Sequence, residues 1–182
     1  GTLIITIGSK VKDGEGNTYT LTEELGHGGF GCVYKAECEA DKSVYAVKTL
    51  LYSFGDEATA ASFKNEVRIS SEVSGEHVIR YIYAHDGDEY PELPPYIIME
   101  YAEGGTLEDQ IEERKKTNSP YSKEELRNLF LQLVAGMKSI NKKLVHRDIK
   151  PENILICDGI CKITDFGLAK VASESTRTMS FK

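Results

Sequence analysis

The segment LVHRDIKPENILI, residues 144–156, concentrates residue types that can do chemistry. Asp148, Lys150 and Asn153 lie between two apolar runs, which would fasten this polar loop to rigid elements at both ends. A carboxylate can accept a hydroxyl proton, a lysine can neutralise a phosphate, and an amide can ligate magnesium. Asp165, twelve residues after Asn153, adds a second hard oxygen ligand. Either acid alone could be a helix cap or a turn residue, but the joint pattern favours phosphoryl transfer.

A second pattern, LGHGGFGCV, places Gly26, Gly28 and Gly31 as G-x-G-x-x-G. Glycine lets the backbone turn tightly and bring its N–H groups close to phosphate oxygens. A dinucleotide-binding loop needs a helix to begin at this motif, whereas CVYKAEC continues as a strand. The strand-turn-strand setting therefore favours a flap over a nucleotide, with a plain hairpin turn as the alternative.

Lys48 ends the strand-like run VYAVK. Strand alternation puts it on the same face as Ala46, so its ammonium points toward whatever that face covers. Glu66 falls on the inward side of a helix predicted over residues 56–73, and an acid on an inward face needs a cation. The sequence predicts that Lys48 and Glu66 pair, and the alternative is that each is solvated.

The elements that position these residues follow from periodicity and turn residues. The first half favours an antiparallel sheet, with strands predicted in residues 3–8, 10–25 (broken by a turn at Asp13 and Gly14), 32–40, 43–52, 77–86 and 95–101. Ser122 and Glu125 form a capping box that starts a long helix, and short strands follow at 153–157 and 161–164. We therefore predict an α+β fold with a sheet-rich lobe at 1–99, a connector at 100–105 and a mainly helical lobe at 106–182.

The long helix carries an apolar stripe that must be buried. At helical spacing it contains Leu126, Leu129, Phe130, Leu133, Val134, Met137 and Ile140. The chain offers this stripe no obvious partner, and a large exposed apolar face is a liability for a soluble monomer. We expect a partner or further helices of a longer domain to cover it, and Gly1 in place of an initiating methionine also suggests a processed beginning.

Composition excludes several classes of protein. The 182-residue chain is 40% hydrophobic and 28% charged, as in soluble globular proteins. Its net charge of -7 argues against a generic nucleic-acid or anionic-membrane surface. The apolar run Leu3–Ile7 is too short for a membrane span or a signal peptide, so we expect a cytoplasmic location. The four cysteines are expected to be reduced, with Cys157 and Cys161 facing each other across a turn.

The motifs together resemble the eukaryotic-type protein kinase family, in its serine/threonine branch. The glycine-rich loop, the lysine of YAVK, the helix glutamate, HRDIKPEN and DFG occur in that family's order and approximate spacing. The lysine within HRDIKPEN resembles the residue found there in the serine/threonine branch rather than in the tyrosine branch. The resemblance covers the chain from Tyr19 onward and implies the bilobal kinase fold, with ATP and Mg²⁺ as cofactors and a protein substrate.

The resemblance also implies a role for each matching residue. Asp148 would be the catalytic base and Lys150 would contact the transferred phosphate, while Lys48, held by Glu66, would grip the α- and β-phosphates. Asn153 and Asp165 would hold Mg²⁺. The nucleotide-binding set would comprise the loop glycines Gly26, Gly28 and Gly31, the adenine-flanking Leu25, Val33, Ala46 and Leu155, the gatekeeper Met99, and the backbones of Glu100 and Ala102.

The segment DFGLAKVASESTRTMSFK, residues 165–182, resembles the start of an activation segment. Arg147 would pair with a phosphate on one of its hydroxyl residues, Ser173, Ser175, Thr176, Thr178 or Ser180. An unregulated hydroxyl-rich loop is the alternative. The chain ends before the family's APE element, and Ser70 stands where the family usually has an apolar residue facing the aromatic Phe166, which would loosen the coupling of the helix to the active arrangement.

Three functions compete at this point. An ATP- and Mg²⁺-dependent protein serine/threonine kinase is favoured because the set of catalytic motifs is uninterrupted. A nucleotide-binding scaffold is the second hypothesis, motivated by the missing helices and by Ser70. A small-molecule kinase on a related fold is the third, and the KPEN lysine and the hydroxyl-rich segment after DFG favour a protein substrate over it.

Overall fold

A computed structural model describes residues 4–28, 31–49, 68, 71–141 and 150–164. The chain forms two compact units. We call the first, Gly1–Ser71 with Arg80–Tyr101, the sheet unit, and the second, Glu72–Ile79 with Ala102–Lys182, the hairpin unit. The change from one to the other between Tyr101 and Ala102 falls within the connector predicted at 100–105, whereas the inclusion of 72–79 in the hairpin unit was not predicted. The lobe boundaries stay a prediction.

The described residues of the sheet unit form an antiparallel sheet of six strands in the order β1-β2-β3-β4-β6-β5. The strands are β1 (Lys10–Lys12), β2 (Thr18–Gly28), β3 (Gly31–Cys38), β4 (Val44–Thr49), β5 (Tyr81–His85) and β6 (Tyr96–Glu100). The first four pair as sequence neighbours, but β4 pairs with β6, so β5 becomes an edge strand. Most of the strand predictions are thus confirmed, although the bounds differ: β2 extends past the predicted residue 25 to Gly28, and β3 begins at Gly31.

One face of this sheet forms the core of the unit. Its fully or nearly buried members are Val11, Tyr19, Leu21, Tyr34, Ala36, Cys38, Val47, Leu93, Tyr96 and Ile98, together with Ile5. Since neighbours in a strand alternate between faces, the residues between these, such as Lys35, Ala46 and Met99, point to the other face. We call the face of this cluster the core face, and the other, which also carries buried residues such as Ile97 and Met99, the opposite face.

The strand predicted at residues 3–8 is wrong for its described part. Residues 4–9 form no strand, because Ser9 N–H donates to the Thr6 carbonyl (3.0 Å) and Thr6 N–H donates to Ser9 Oγ (3.0 Å), which turns the chain. Gly8 has a positive φ of 91° within this turn. Ile5 enters the core, whereas Ile4 is 88% exposed.

The turn predicted at Asp13 and Gly14 is confirmed. The buried Asp13 carboxylate accepts hydrogen bonds from the backbone N–H groups of Glu15 and Asn17, both at 2.9 Å, and from the Tyr19 hydroxyl at 2.7 Å. The carboxylate thus supplies acceptors for the backbone N–H groups of the turn, and these donors in turn compensate for the burial of the carboxylate.

In its described residues the hairpin unit contains helices α1 (Leu107–Lys116) and α2 (Lys123–Asn141) and a two-stranded sheet. A short 3₁₀ turn (Pro151–Asn153) precedes the strands of this sheet, β7 (Ile154–Cys157) and β8 (Ile160–Ile163). The predicted capping box of α2 is confirmed, since Glu125 N–H donates to Ser122 Oγ and Ser122 N–H donates to the Glu125 carboxylate, both at 3.1 Å. Thr106 and Asp109 form a second capping box, at α1.

The apolar stripe of α2 is only partly covered by the described residues. Leu129 and Leu133 pack against a core of Leu107, Ile154, Ile156 and Cys161, and Ile140 is fully buried. Leu126 and Phe130 are 51% and 64% exposed. Gly136 allows the close approach of the helix to residues 72–79, because a Cβ there would lie 2.7 Å from the His77 carbonyl oxygen.

The prediction that Cys157 and Cys161 face each other is wrong. The turn between β7 and β8 consists of Asp158 and Gly159, both at positive φ, as in the tightest hairpins. This two-residue turn pairs Cys157 with Ile160 and Ile156 with Cys161, so the two thiols lie on opposite faces of the hairpin. All four cysteines of the chain are free.

Within the part of the chain that the structure describes, no helix is both long enough and apolar enough to cross a membrane.

Candidate active site

Four predicted site residues lie on the opposite face of the sheet, across three neighbouring strands. Val33 of β3 pairs with Lys48 of β4, and Ala46 of β4 pairs with Met99 of β6. Cross-strand partners share a face, and so do residues two apart in a strand. The register therefore gathers Val33, Ala46, Lys48 and Met99 on one surface, turned away from the core face.

This surface combines apolar side chains with the ammonium of Lys48. Ala46 and Met99 are buried, and Val33 and Lys48 are partly buried. An apolar wall beside a lysine suits a ligand with a flat apolar part and an anionic part. The predicted orientation of Lys48 on the face of Ala46 is confirmed.

The glycine-rich segment lies at the end of the β2–β3 hairpin beside this surface. Gly28 is the register partner of Gly31, and Gly26 is the partner of Val33. The hydroxyl of Thr49, next to Lys48, accepts from Cys32 N–H (3.1 Å) and donates to the Cys32 carbonyl (3.2 Å). These two bonds fasten the base of the hairpin to β4. The predicted strand-turn-strand setting is present, with residues 29–30 outside the described part.

Leu25 occupies an irregular position in β2. The register shifts between Glu24 and Gly26, which leaves Leu25 as an extra residue on that strand. Such bulges redirect a side chain, and Leu25 is 42% exposed. A large apolar side chain held out of the core next to Gly26 is available to a ligand.

The connector begins at Glu100, the last residue of β6. Glu100 N–H donates to the Arg80 carbonyl (3.0 Å), and Arg80 N–H donates to the Glu100 carboxylate (2.8 Å). Both bonds lie within the sheet unit and fix the start of the connector against the segment that precedes β5. Ala102, the other backbone site predicted for the adenine edge, is the first connector residue of the hairpin unit.

The far end of the connector pairs with β7 inside the hairpin unit. Gly104 N–H donates to the Ile156 carbonyl (2.9 Å), and Ile156 N–H donates to the Gly105 carbonyl (2.8 Å). A Cβ on Gly104 would lie 2.6 Å from the Ile156 carbonyl oxygen, so only glycine permits this approach. The next pair along is Thr106 with Leu155, the predicted adenine-flanking residue of this unit.

Asn153 is positioned by backbone hydrogen bonds on both sides. Its N–H donates to the Lys150 carbonyl (2.9 Å) in the 3₁₀ turn, and its carbonyl accepts from Thr164 N–H (2.9 Å), continuing the β7–β8 ladder. Asp165 follows Thr164 directly in the sequence. The prediction that Asn153 and Asp165 hold one Mg²⁺ ion stays a prediction, because Asp165 lies outside the described residues.

Lys150 lies just before the 3₁₀ turn. Its ammonium is 3.3 Å from the Glu152 carboxylate, and both side chains are about half exposed. An exposed ion pair of this kind contributes little to stability.

Three predicted site residues, Glu66, Asp148 and Asp165, lie outside the described residues. The Lys48–Glu66 pair and the catalytic base therefore stay predictions. The same holds for Arg147, for Ser70 and for the activation segment at 165–182.

The structure adds residues to the site surface that sequence reasoning missed. Ile97 and Lys35 share the opposite face, as the register partners of Lys48 and Ala46. Alternation within each strand was visible in the sequence, but the pairing of β4 with β6 was not. On the connector, Glu103 was also missed, and its carboxylate accepts from Asp158 N–H (2.6 Å). Donation by its own backbone and by Asp158 lowers the pKa of Glu103.

The fold and these motifs match a known family. The chain matches the protein kinase domain family over residues 19–182, and it belongs to that family. The α+β fold expected from the resemblance is confirmed, with an antiparallel sheet in one unit and helices in the other.

Its curated relatives are serine/threonine-protein kinases of bacteria and eukaryotes. A probable serine/threonine-protein kinase of Clostridium perfringens is 36% identical over 164 residues, which cover 88% of this chain and 23% of the relative. A serine/threonine-protein kinase of Corynebacterium efficiens is 37% identical, covering 87% of this chain and 31% of its own length. The interferon-induced, double-stranded RNA-activated protein kinase of Rattus norvegicus is 34% identical, covering 81% and 30%. The chain thus spans less than a third of each of these relatives.

Proposed function

We propose that this chain carries an ATP- and Mg²⁺-dependent protein kinase activity that transfers the γ-phosphoryl group of ATP to serine or threonine hydroxyls of proteins. The observation that carries the proposal is the register of β3, β4 and β6, which puts Val33, Ala46, Met99 and Lys48 on one surface. Membership of the protein kinase family supports the reaction class.

In this proposal the opposite face of the sheet binds the nucleotide. Val33, Ala46 and Met99, with Leu25 and Leu155, contact the adenine, and the backbones of Glu100 and Ala102 meet its polar edge. Lys48, oriented by Glu66, neutralises the α- and β-phosphates, and the backbone of Gly26, Gly28 and Gly31 lies over them. A cation fixed beside an apolar wall stabilises charge more than one in water.

The hairpin unit supplies the chemistry at the γ-phosphate. Asp148 accepts the proton of the attacking hydroxyl, and Lys150 contacts the transferred phosphate. Asn153 and Asp165 would hold Mg²⁺, and the amide and carboxylate oxygens of this pair suit that ion. When bound, the metal would neutralise charge on the phosphates. The hydrogen bonds of Asn153 to Lys150 and Thr164 support this assignment, because they fix the backbone of one ligand.

We further propose regulation through residues 165–182. A phosphate on Ser173, Ser175, Thr176, Thr178 or Ser180 would add negative charge that Arg147 can pair with.

The proposed substrate is a protein with a serine or threonine. No nucleic acid is expected as a partner, in line with the net charge of -7. The four free cysteines fit a reducing cytoplasm. Leu126 and Phe130 of α2 are where a partner or a further part of the domain would pack.

The test is phosphate incorporation by the full chain. Wild type incubated with Mg-ATP and a mixture of serine- and threonine-containing peptides should gain phosphate on peptide or protein, measured by mass spectrometry. Asp148→Asn should reduce the initial rate about 10²–10⁴-fold, and Lys48→Met should reduce it as well. Asp158→Asn in the β7–β8 turn and Lys12→Met in β1 are matched controls that remove the same charges elsewhere.

The possible failures point to different functions. A wild-type rate of phosphate transfer in Asp148→Asn would contradict the proposal that Asp148 is the catalytic base. Stabilisation of wild type by Mg-ATP without any transfer would replace the kinase with a nucleotide-binding scaffold. Transfer to small alcohols but never to a peptide would indicate a small-molecule kinase.

A further inference from the structure

Lys35 of β3 makes a contact with the connector that the proposed mechanism does not use. Its ammonium lies over the ring of Tyr101, 5.2 Å from the ring centroid. Tyr101 directly follows β6 and stands between the two residues, Glu100 and Ala102, whose backbones we propose to meet adenine. Both Lys35 and Tyr101 are partly buried, and both belong to the sheet unit.

The sheet register places this contact beside the proposed adenine wall. Lys35 is the partner of Ala46, and Ala46 is the partner of Met99, so the three residues form one row across β3, β4 and β6. Tyr101 lies two positions beyond Met99 in the chain. A cation at the end of this row is therefore well placed to hold Tyr101, two positions after the gatekeeper.

The backbone of Lys35 is itself anchored. It lies inside the β3 ladder with both neighbouring strands, and the Thr22 hydroxyl donates to its carbonyl (3.2 Å). The ammonium thus extends from a fixed point toward the aromatic ring. An ammonium over a tyrosine ring is attracted by the ring's negative face, and this attraction restrains the tyrosine.

We propose that Lys35 is a positioning residue for nucleotide recognition, which holds Tyr101 and through it the backbone of Glu100 and Ala102. The inference rests on the proposed function. Adenine presents an amino donor beside a ring acceptor, whereas guanine presents a carbonyl acceptor beside a ring donor at the same edge. Backbone groups held in place discriminate between these patterns, and loosened ones do so less. Lys35 therefore contributes to selectivity for ATP over GTP.

The test compares KM and kcat for ATP and for GTP in the full chain. Lys35→Met keeps the apolar stem but removes the charge, and it should raise KM for ATP about two- to fivefold with kcat unchanged. KM for GTP should change less, so the ratio of KM for GTP to KM for ATP should fall toward one. Tyr101→Leu, which removes the ring, should have the same effect.

Conservative variants and a matched control separate positioning from a general loss of structure. Lys35→Arg and Tyr101→Phe keep a cation and a ring, so they should restore the wild-type ratio. The double variant Lys35→Met with Tyr101→Leu should lose no more than the larger single effect, because the two residues act as one contact. Lys12→Met removes an equivalent contact with Tyr90, 5.8 Å from cation to ring centroid, and should leave both KM values unchanged.

Each other result overturns the inference. An equal rise in KM for ATP and GTP, an effect of Lys35→Arg as large as that of Lys35→Met, or unchanged KM values in Lys35→Met would each contradict it while the proposed function stands. If wild type neither binds nor uses ATP, the proposed function fails, and the inference fails with it.

Discussion

The sheet unit and the hairpin unit hold their predicted site residues in place by different means. In the sheet unit, side chains from β3, β4 and β6 meet on one face because the register aligns them, while the core face below is filled by residues such as Val47 and Ile98. In the hairpin unit, backbone hydrogen bonds to Lys150 and Thr164 place Asn153. Leu155 is the bridge partner of Thr106, next to the close approach of Gly104 to Ile156.

This difference shows which kind of substitution would displace the predicted site residues of each unit. The sheet unit depends on the volume of side chains that never touch a ligand, because they keep the sheet in place. The hairpin unit depends on the absence of side chains where two backbones approach. We therefore expect a truncation to destabilise the core face of the sheet unit, and an enlargement to destabilise the close backbone approach in the hairpin unit.

The largest effect is expected for a truncation in the core face of the sheet unit. Ile98 is fully buried between its neighbours on β4 and β5. Ile98→Ala should lower the free energy of unfolding by about 2–5 kcal/mol, since it removes buried methyl groups and leaves a cavity. Chemical denaturation of the full chain measures this loss.

Ile4→Ala is the control for this truncation, because Ile4 is 88% exposed and should lose almost nothing. Similar losses in both variants would show that the core face does not stabilise the sheet as described.

A smaller effect is expected for an enlargement in the hairpin unit. Gly104→Ala would bring a Cβ to 2.6 Å from the Ile156 carbonyl oxygen and to 2.8 Å from the Ile156 Cβ. Overpacking against backbone costs about 1–3 kcal/mol, and it should separate the connector from β7. Hydrogen exchange at Ile156 N–H, which donates to Gly105, should accelerate along with the loss of stability.

Gly14→Ala is matched to this variant, because its Cβ would meet only Tyr83 ring atoms, at 3.4 Å and beyond, in ordinary contact. If Gly104→Ala were as stable as Gly14→Ala, the close backbone approach in the hairpin unit would be refuted.

The smallest effect is expected at the surface, where α1 and α2 are joined by Arg114 and Glu125. Hydrogen bonds from Arg114 lower the pKa of Glu125 from its ordinary value of 4.5 to about 2. A lowered pKa in the folded state adds stability that is present above the unfolded value and is lost as pH falls from about 4.5 toward about 2. Glu125→Gln should remove this dependence, so the difference in Tm between wild type and variant should shrink over that range.

Glutamine keeps a carbonyl oxygen for Ser122 N–H, so the variant retains its capping box and isolates the charge. Glu124→Gln removes the neighbouring carboxylate and leaves the pair with Arg114 intact. Added salt should reduce the effect at Glu125 because the pair is partly exposed. A Tm difference that does not change with pH would contradict the ion pair.

Elements with strong local signals were predictable from the sequence. The capping box at Ser122, the turn at Asp13 and the β7–β8 hairpin each depend on residues close in the chain, and all three are present. The strand predicted at 3–8 failed because Thr6 and Ser9 satisfy each other in a turn, which apolar composition does not reveal. The prediction that Cys157 and Cys161 face each other failed because the two-residue turn sets a register that pairs Cys157 with Ile160.

The sequence by itself determined the set of chemical groups and the family, since the glycine-rich loop, Lys48, HRDIKPEN and DFG are fixed by residue type and spacing. Only the tertiary structure decided that β4 pairs with β6, which brings Met99 beside Ala46 and Lys35 within reach of Tyr101. The physical reason is that alternation along a strand sets which face a side chain takes, whereas pairing between distant strands depends on packing of the whole core.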